Sequence, residues 1–488
     1  FHTVSGQDGI LDSSFALNGK YLLPANYSHS SFTKVTTAEN GSILLSVHRS
    51  SGNQLCIRLT SEGLPDTSFG NGGIAEIITN DSAVTYTLLC QLQDGKIFVA
   101  YSTSSKIVLT RLTSAGHIDP SFGTGGQITY QLQVSGLMIR GISPDTMNRL
   151  VIATRCSTNS RHSALVMRLN ADGSYDQSFG VDGKTVLSFS MWELALFDMA
   201  TDSASNIYVT GTSNARNSVN DNYFVCKLDN MGIHDFSFSN MGSDGIVLIH
   251  ALDRDCARAI VTQPDNKIVV GGYLGHSGWG KFGIVRLLPG SQRDPAFGDN
   301  GLVTTAFTQF MDHIHDVIIS PDNKIIAAGA ANITGSAGSL YSQFALARYF
   351  PDGTLDLSFG KNGKVTNNIS SYDEVIVSLC IHPDKNILAA GNSVMDGIQR
   401  ATLVRYSGGN PYVFISNVSA NVIYTAGTQR LIEWKSYDVG TIRLELSTDD
   451  GITWSGIPGA GMLASSDEGF WWDVPNTNSE ICKIRISD

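Results

Sequence analysis

Few charges, no long apolar run and no paired set of cysteines mark this sequence, and each shortage removes a class of protein. Only 16% of residues are charged and the formal net charge is −11, so the basic footprint that nucleic acid requires is missing. No apolar stretch approaches the roughly 18 residues of a membrane-spanning helix, so no transmembrane segment is expected. The seven cysteines cannot all pair within one chain, and they show neither a disulfide framework nor zinc-ligand spacing. They read as small buried hydrophobes. A phosphate-binding Gly-rich loop and a Gly-x-Ser-x-Gly nucleophile elbow are also missing. Asn-x-Ser/Thr triplets, as at Asn26, Asn332 and Asn368, occur as often as this composition produces them by chance.

What the chain does have is a repeat. Asp-x-Ser-Phe-Gly-x-x-Gly, or a close variant, occurs seven times, with its phenylalanines at Phe15, Phe69, Phe122, Phe179, Phe238, Phe297 and Phe359. The intervals are 54, 53, 57, 59, 59 and 62 residues, long enough for one supersecondary unit each. Four strand-like runs recur per unit, as in Tyr86 to Gln91, Ile97 to Tyr101, Ile107 to Leu112 and Gln127 to Gln131. Four strands make a propeller blade. Asp94-Gly95, Asp265-Asn266 and Asp322-Asn323 supply the positive φ of a tight hairpin between the first two strands. The third strand ends in Arg-Leu or Arg-Tyr, with Lys227-Leu228 as the lysine variant. In the motif that follows, the Asp is placed to bond nearby backbone and the Phe to wedge into the seam between sheets.

A β-helix coil needs only about 20 residues per turn, so the period favours a propeller over a solenoid. The expected fold is all-β: a seven-bladed β-propeller over residues 1–406, followed by a linker at 407–411 and a small β-sandwich at 412–488. The last repeat stops after its third strand at Arg405-Tyr406, while Gly19 to Leu23 stands alone near the start. The N-terminal strand is therefore expected to complete the last blade and remove the open edges.

The motif and its recurrence from Asp12 to Tyr406 resemble the delta-sixty repeat family of mostly bacterial, often secreted or surface-exposed proteins. That resemblance implies a propeller and an extracellular location, and no single activity. The chain departs from the family pattern at Ala16 in place of Gly, at Ala296 in place of Ser, and in a short insertion at Asn240 to Asp244.

Beyond Pro411 the pattern changes to short alternating strands around Trp434, Trp454, Trp471 and Trp472, which suggests an immunoglobulin- or fibronectin-like sandwich. Within it, Ser447-x-Asp449-x-Gly451-x-x-Trp454 looks like an Asp-box, a turn-stabilising hairpin rather than a catalytic motif.

Propellers bind ligands where the loops entering their innermost strands converge. Counting back from the hairpin turns aligns Asp255, Asp312 and Glu374, with Glu193 one register away. These would form an acidic crescent at the channel mouth, flanked by Trp192, Arg254, Arg258, His313, His315 and Tyr372. Carboxylates beside aromatics suit sugars, and a correctly spaced pair would suit hydrolysis. A solvated polar rim is the plainer alternative. His313 and His315 lie two apart on a strand and would face one side as a metal pair does, without a third ligand at a recognisable spacing. The crescent would also suit calcium, although no cofactor is required. Trp279, set among glycines, either stands exposed to stack on a ligand or folds back over its sheet, the commoner arrangement.

The sequence thus points to a non-enzymatic binding or structural protein, secreted or on a cell surface, with a glycan, a surface protein or its own copies as partner. The competing class is a glycan-active hydrolase or lyase using the acidic mouth.

Overall fold

The computed structural model describes residues 8–487 except 39, 50–51, 80, 82, 159–160, 190–191, 216–220, 241–243, 253, 277–278, 335–339, 371, 396, 409–411, 416–423, 438–439, 450, 468, 478 and 480. The chain divides into two compact units, Gly9–Ser407 and a second built from Gly408–Asp488 with Phe1–Asp8.

In the larger unit each repeat folds into an antiparallel sheet. The first contains Ser30–Thr37, Ile43–Arg49, Gln54–Leu59 and Ile74–Ile77, hydrogen-bonded in that order. The first strands of the following sheets are Tyr86–Gln91, Ser135–Pro144, Trp192–Thr201, Arg254–Thr262, Asp312–Ile319 and Val375–Ile381. Each of these strands touches the next, and Val375–Ile381 touches Ser30–Thr37, so the sheets stand in a ring around their first strands. The final sheet takes its outer strand from the other end of the unit. Lys20–Leu22 pairs antiparallel with Ile398–Tyr406, Tyr21 opposite Leu403.

The repeated motif holds neighbouring sheets together. Arg111 Nε donates to Asp119 at 2.9 Å, Arg286 to Asp294 at 2.9 Å and Arg405 to Asp12 at 2.7 Å. The other oxygen of Asp119 accepts both the amide and the hydroxyl of Ser121. Arg111 Nη1 then reaches Ala171 O on the following sheet at 3.0 Å, and its guanidinium lies 4.6 Å from the Phe122 ring. The phenylalanine is closed to solvent and packs against a hairpin glycine of the next sheet. A Cβ on Gly353, whose φ is +90°, would stand 2.9 Å from Phe297. Core clusters accordingly span sheet boundaries, as where Phe122 joins Phe98 to Ile139 and Ile152.

The two single-residue departures from the motif are accommodated. Ala16 adopts a left-handed φ of 47° where five of the other six repeats carry glycine. The Ala296 amide still bonds Asp294 Oδ1 at 2.9 Å, without the hydroxyl bond that serine adds. All seven cysteines are free, five of them buried, with Cys380 half-buried and Cys482 exposed.

In the smaller unit Tyr412–Ile415, Gln429–Tyr437 and Gly469–Asp473 form one sheet, and Thr441–Ser447 pairs with Lys483–Ser487 and two short strands in another. Trp434, Ile442, Leu444 and Trp472 form their shared core. The Asp-box-like segment is a closed turn. Asp449 accepts from Ser447, from the Thr453 amide and from its hydroxyl, and Trp454 Nε1 donates to Gly451 O.

Candidate functional site

The three acidic residues aligned in one register, expected as part of a crescent at the channel mouth or else as a solvated rim, are buried. Asp255 and Asp312 are closed to solvent and Glu374 is 1% exposed. Each fastens the loop that leads into its own strand. Asp255 Oδ2 accepts from the amides of Ala251 and Leu252. Asp312 accepts from the amides of Phe307 and Thr308 and from the Thr308 hydroxyl. Glu374 accepts from the amides of Ile369 and Ser370. Burial raises the pKa of all three carboxyls while the amide donors pull the other way. These carboxylates are loop clamps through the oxygens that accept backbone amides, while Asp255 Oδ1 is buried without a partner.

The remaining predicted residues separate. Glu193 is half-buried and lies opposite Asn214 in its sheet. Trp192 belongs to the same strand, opposite Ala215. Arg254 and Tyr372 are exposed, Tyr372 by 52%. Trp279 is 57% exposed, so it does not fold back over its sheet. The segments 213–222, 274–281 and 332–343, which join the second and third strands of their sheets, lie partly outside the described residues.

His313 and His315 do meet, with ring centroids 4.9 Å apart. Burial, then the Arg258 charge, pushes the His313 pKa down to about 4, and His315 is also lowered well below the ordinary range. The Arg258 guanidinium beside the two rings opposes a cation there. Among the described residues no group of three or more His, Cys, Asp or Glu is arranged to hold a metal.

The histidines instead lead to the centre of the ring. There a cavity of about 280 Å³ is lined by Lys34, Tyr86, Arg140, Phe197, Asp198, Arg258, His315, Asp316 and Ser378, among others. Local backbone irregularity aims these side chains. The first strands carry a register shift at Phe32/Lys34, Ile139/Gly141, Leu196/Asp198, Ala257/Ala259, Ile314/Asp316 and Ile376/Ser378. An extra residue at such a bulge bends the strand and redirects the side chains beside it.

Asp198 Oδ2 accepts the Ile260 amide at 2.9 Å and Asp316 Oδ2 the Leu379 amide at 2.7 Å, each stitching one sheet to the next. Burial raises the Asp198 pKa to about 7, with Lys34 opposing and Asp316 adding to the shift. Burial alone would lower the Lys34 ammonium, but the Asp316 and Asp198 carboxylates hold it above its ordinary value. Arg140 stacks on Tyr86 and on Phe197, both at 5.1 Å, and Arg258 stacks on Phe197 at 4.5 Å.

Of this lining, the sequence reading named only Arg258 and His315, and those as flanks of the acidic set. The overlooked signal was a register nearer the hairpin turn. Arg258 and His315 each stand seven residues before Asp265 and Asp322, and Arg140 and Phe197 occupy the corresponding bulge positions in their strands.

Residues 263–297 and 320–359 match a β-propeller family model described as a domain of unknown function, DUF5122, and residues 197–217 match a β-propeller repeat model. No curated protein matches the chain. Among solved structures it is similar to a catalytically inactive virginiamycin B lyase from Staphylococcus aureus, with 10% identity over 79% of this chain and 98% of that one and a TM-score of 0.41. It is also similar to a polysaccharide lyase, 9% identical over 84% and 99% of the two chains with a TM-score of 0.47. A glucose dehydrogenase is 12% identical over 65% and 99%, with a TM-score of 0.37. The chain has a β-propeller fold, and the family-model matches name no activity.

Proposed function

We propose that this chain is a non-enzymatic binding protein, secreted or held at a cell surface, which takes a glycan at its central channel and needs no cofactor. In this reading it is a seven-bladed propeller of the delta-sixty repeat type, closed by its N-terminal strand and followed by an immunoglobulin- or fibronectin-like sandwich suited to adhesion. The observation that carries the reading is the channel cavity, where charged and aromatic side chains from different sheets converge. Concave sites with a few convergent polar groups are where small ligands bind.

The enzymatic alternative, a hydrolase or lyase, loses its first candidates because Asp255, Asp312 and Glu374 are engaged with their own loops. A second reading is association with a surface protein or with further copies of the chain.

The test is retention and product release on a panel of polysaccharides, comparing the protein with Phe197→Ala and Tyr86→Ala. Retention lost in the variants without new sugar ends upholds channel binding. Release of fragments moves the protein to the enzymes. No retention by the unaltered protein, with a particle mass above that of one chain in light scattering, overturns the glycan reading in favour of self-association.

A further inference from the structure

Two guanidiniums in the channel lack an anionic partner. Lys34 has Asp316 and Asp198 as its electrostatic partners, whereas Arg140 and Arg258 make no ion pair with any described residue. The Nε–H of each is buried without an acceptor, and so is Nδ1 of His313. Stacking on Phe197 holds both guanidiniums in place, but a ring quadrupole leaves their charge and their donors unspent. Neighbouring positive charge adds to the cost. Burial, Arg258 and Arg155 all lower the Arg140 pKa, with Tyr86 and Asp198 opposing. A buried, incompletely bonded cation is expensive to keep unless something supplies the missing acceptor.

The charge count specifies that acceptor. Lys34, Arg140 and Arg258 bring three positive charges to the cavity, Asp198 and Asp316 bring two negative ones, and the histidines are held neutral. The excess is at least one positive charge, and it grows when Asp198, raised to about 7, holds its proton, so an anion is the matching ligand. Arginine's planar fork is matched to a carboxylate in particular. The cavity of about 280 Å³ falls just below the range of drug-sized sites, which suits a single small residue or one sugar unit rather than an extended chain.

We propose that the central channel binds a carboxylate-bearing small ligand, an acidic sugar foremost, with its carboxylate held by Arg140 and Arg258 over Phe197. This rests on the channel being the ligand site and goes further by fixing the ligand's charge and functional group. The carboxylate would satisfy Nε donors that nothing in the chain satisfies.

Calorimetric titration with glucuronate, glucose, acetate and sulfate tests it, on the full chain and on Arg140→Gln and Arg258→Gln. Glucuronate is expected to bind at least tenfold more tightly than glucose or sulfate, and each substitution to weaken it at least tenfold. Acetate binding as well as glucuronate upholds the carboxylate site and assigns it to a free acid. Equal binding of glucose and glucuronate overturns the proposal while leaving the channel as a sugar site. No binding by any probe overturns both. Should a glutamine variant fail to fold, Arg258→Lys keeps the charge without the fork and is expected to bind glucuronate more weakly. Unchanged affinity in Arg258→Lys also counts against the proposed fork.

Discussion

Arg348 and Asp356, eight positions apart in sequence, meet at 2.8 Å with side chains only 1% and 2% exposed, and Lys324 reaches the same carboxylate at 3.1 Å. Removing one partner of a buried pair leaves an uncompensated charge and costs about 3–5 kcal/mol. Asp356→Ala is expected to destabilise the protein by that amount in urea unfolding, and adding Arg348→Met to recover part of it. Asp66→Ala, in a pair 17% and 22% exposed, should cost distinctly less. Equal losses at the two sites would refute burial as the cause.

The loop clamps separate stability from binding. Asp312→Ala strands the Phe307 and Thr308 amides, at a cost of about 1–3 kcal/mol. Thermal melting should show this loss while carbohydrate retention, measured on the folded protein, stays unchanged. Loss of retention at full stability would return Asp312 to the binding site.

Asp198 makes stability depend on pH. Its carboxyl is raised to about 7 in the folded chain, by burial foremost, against an unfolded value of about 3.9. Between those limits the folded state holds a proton that the unfolded state has released, so stability falls as pH rises through the window. The groups facing it are Lys34, Asp316, Arg140 and the Ile260 amide. Asp198→Asn should therefore lose less melting temperature between about pH 5 and about pH 8 than the unaltered protein. Parallel profiles would rule out Asp198 as the source.

Trp279 offers the opposite profile. An exposed side chain far from any core contributes within about 0.5 kcal/mol, so Trp279→Ala should melt as the unaltered protein does. Weaker retention of an immobilised polysaccharide would place the ring against ligand, and unchanged retention would exclude it from the site.

The repeat was legible because its chemistry is local in sequence. The spacing that takes Arg111 to Asp119 and then to Ser121 and Phe122 is the spacing of the bonds themselves. The expected wedge of Phe between sheets and the pairing of Lys20–Leu22 with the last repeat follow from the same regularity. The site was less legible. Counting registers located Asp255, Asp312 and Glu374 correctly along their strands, but register does not reveal whether an oxygen points to water or back to its own loop. The channel lining depends on bulges such as Leu196/Asp198, whose register before the hairpin turn recurs without revealing where the side chains point, and on side chains from the two flanking repeats meeting at Phe197.

Lys20–Leu22 is the first strand of the larger unit in chain order, yet its partner Ile398–Tyr406 is the last. Sheets between these points need only neighbours recently synthesised, whereas the shared sheet must close one very long loop. Until then Lys20–Leu22 is an unpaired strand, open to pairing with another chain. Within the larger unit the leading strand is the last to find its place, and an intermediate in which it remains unpaired is where two copies can exchange strands.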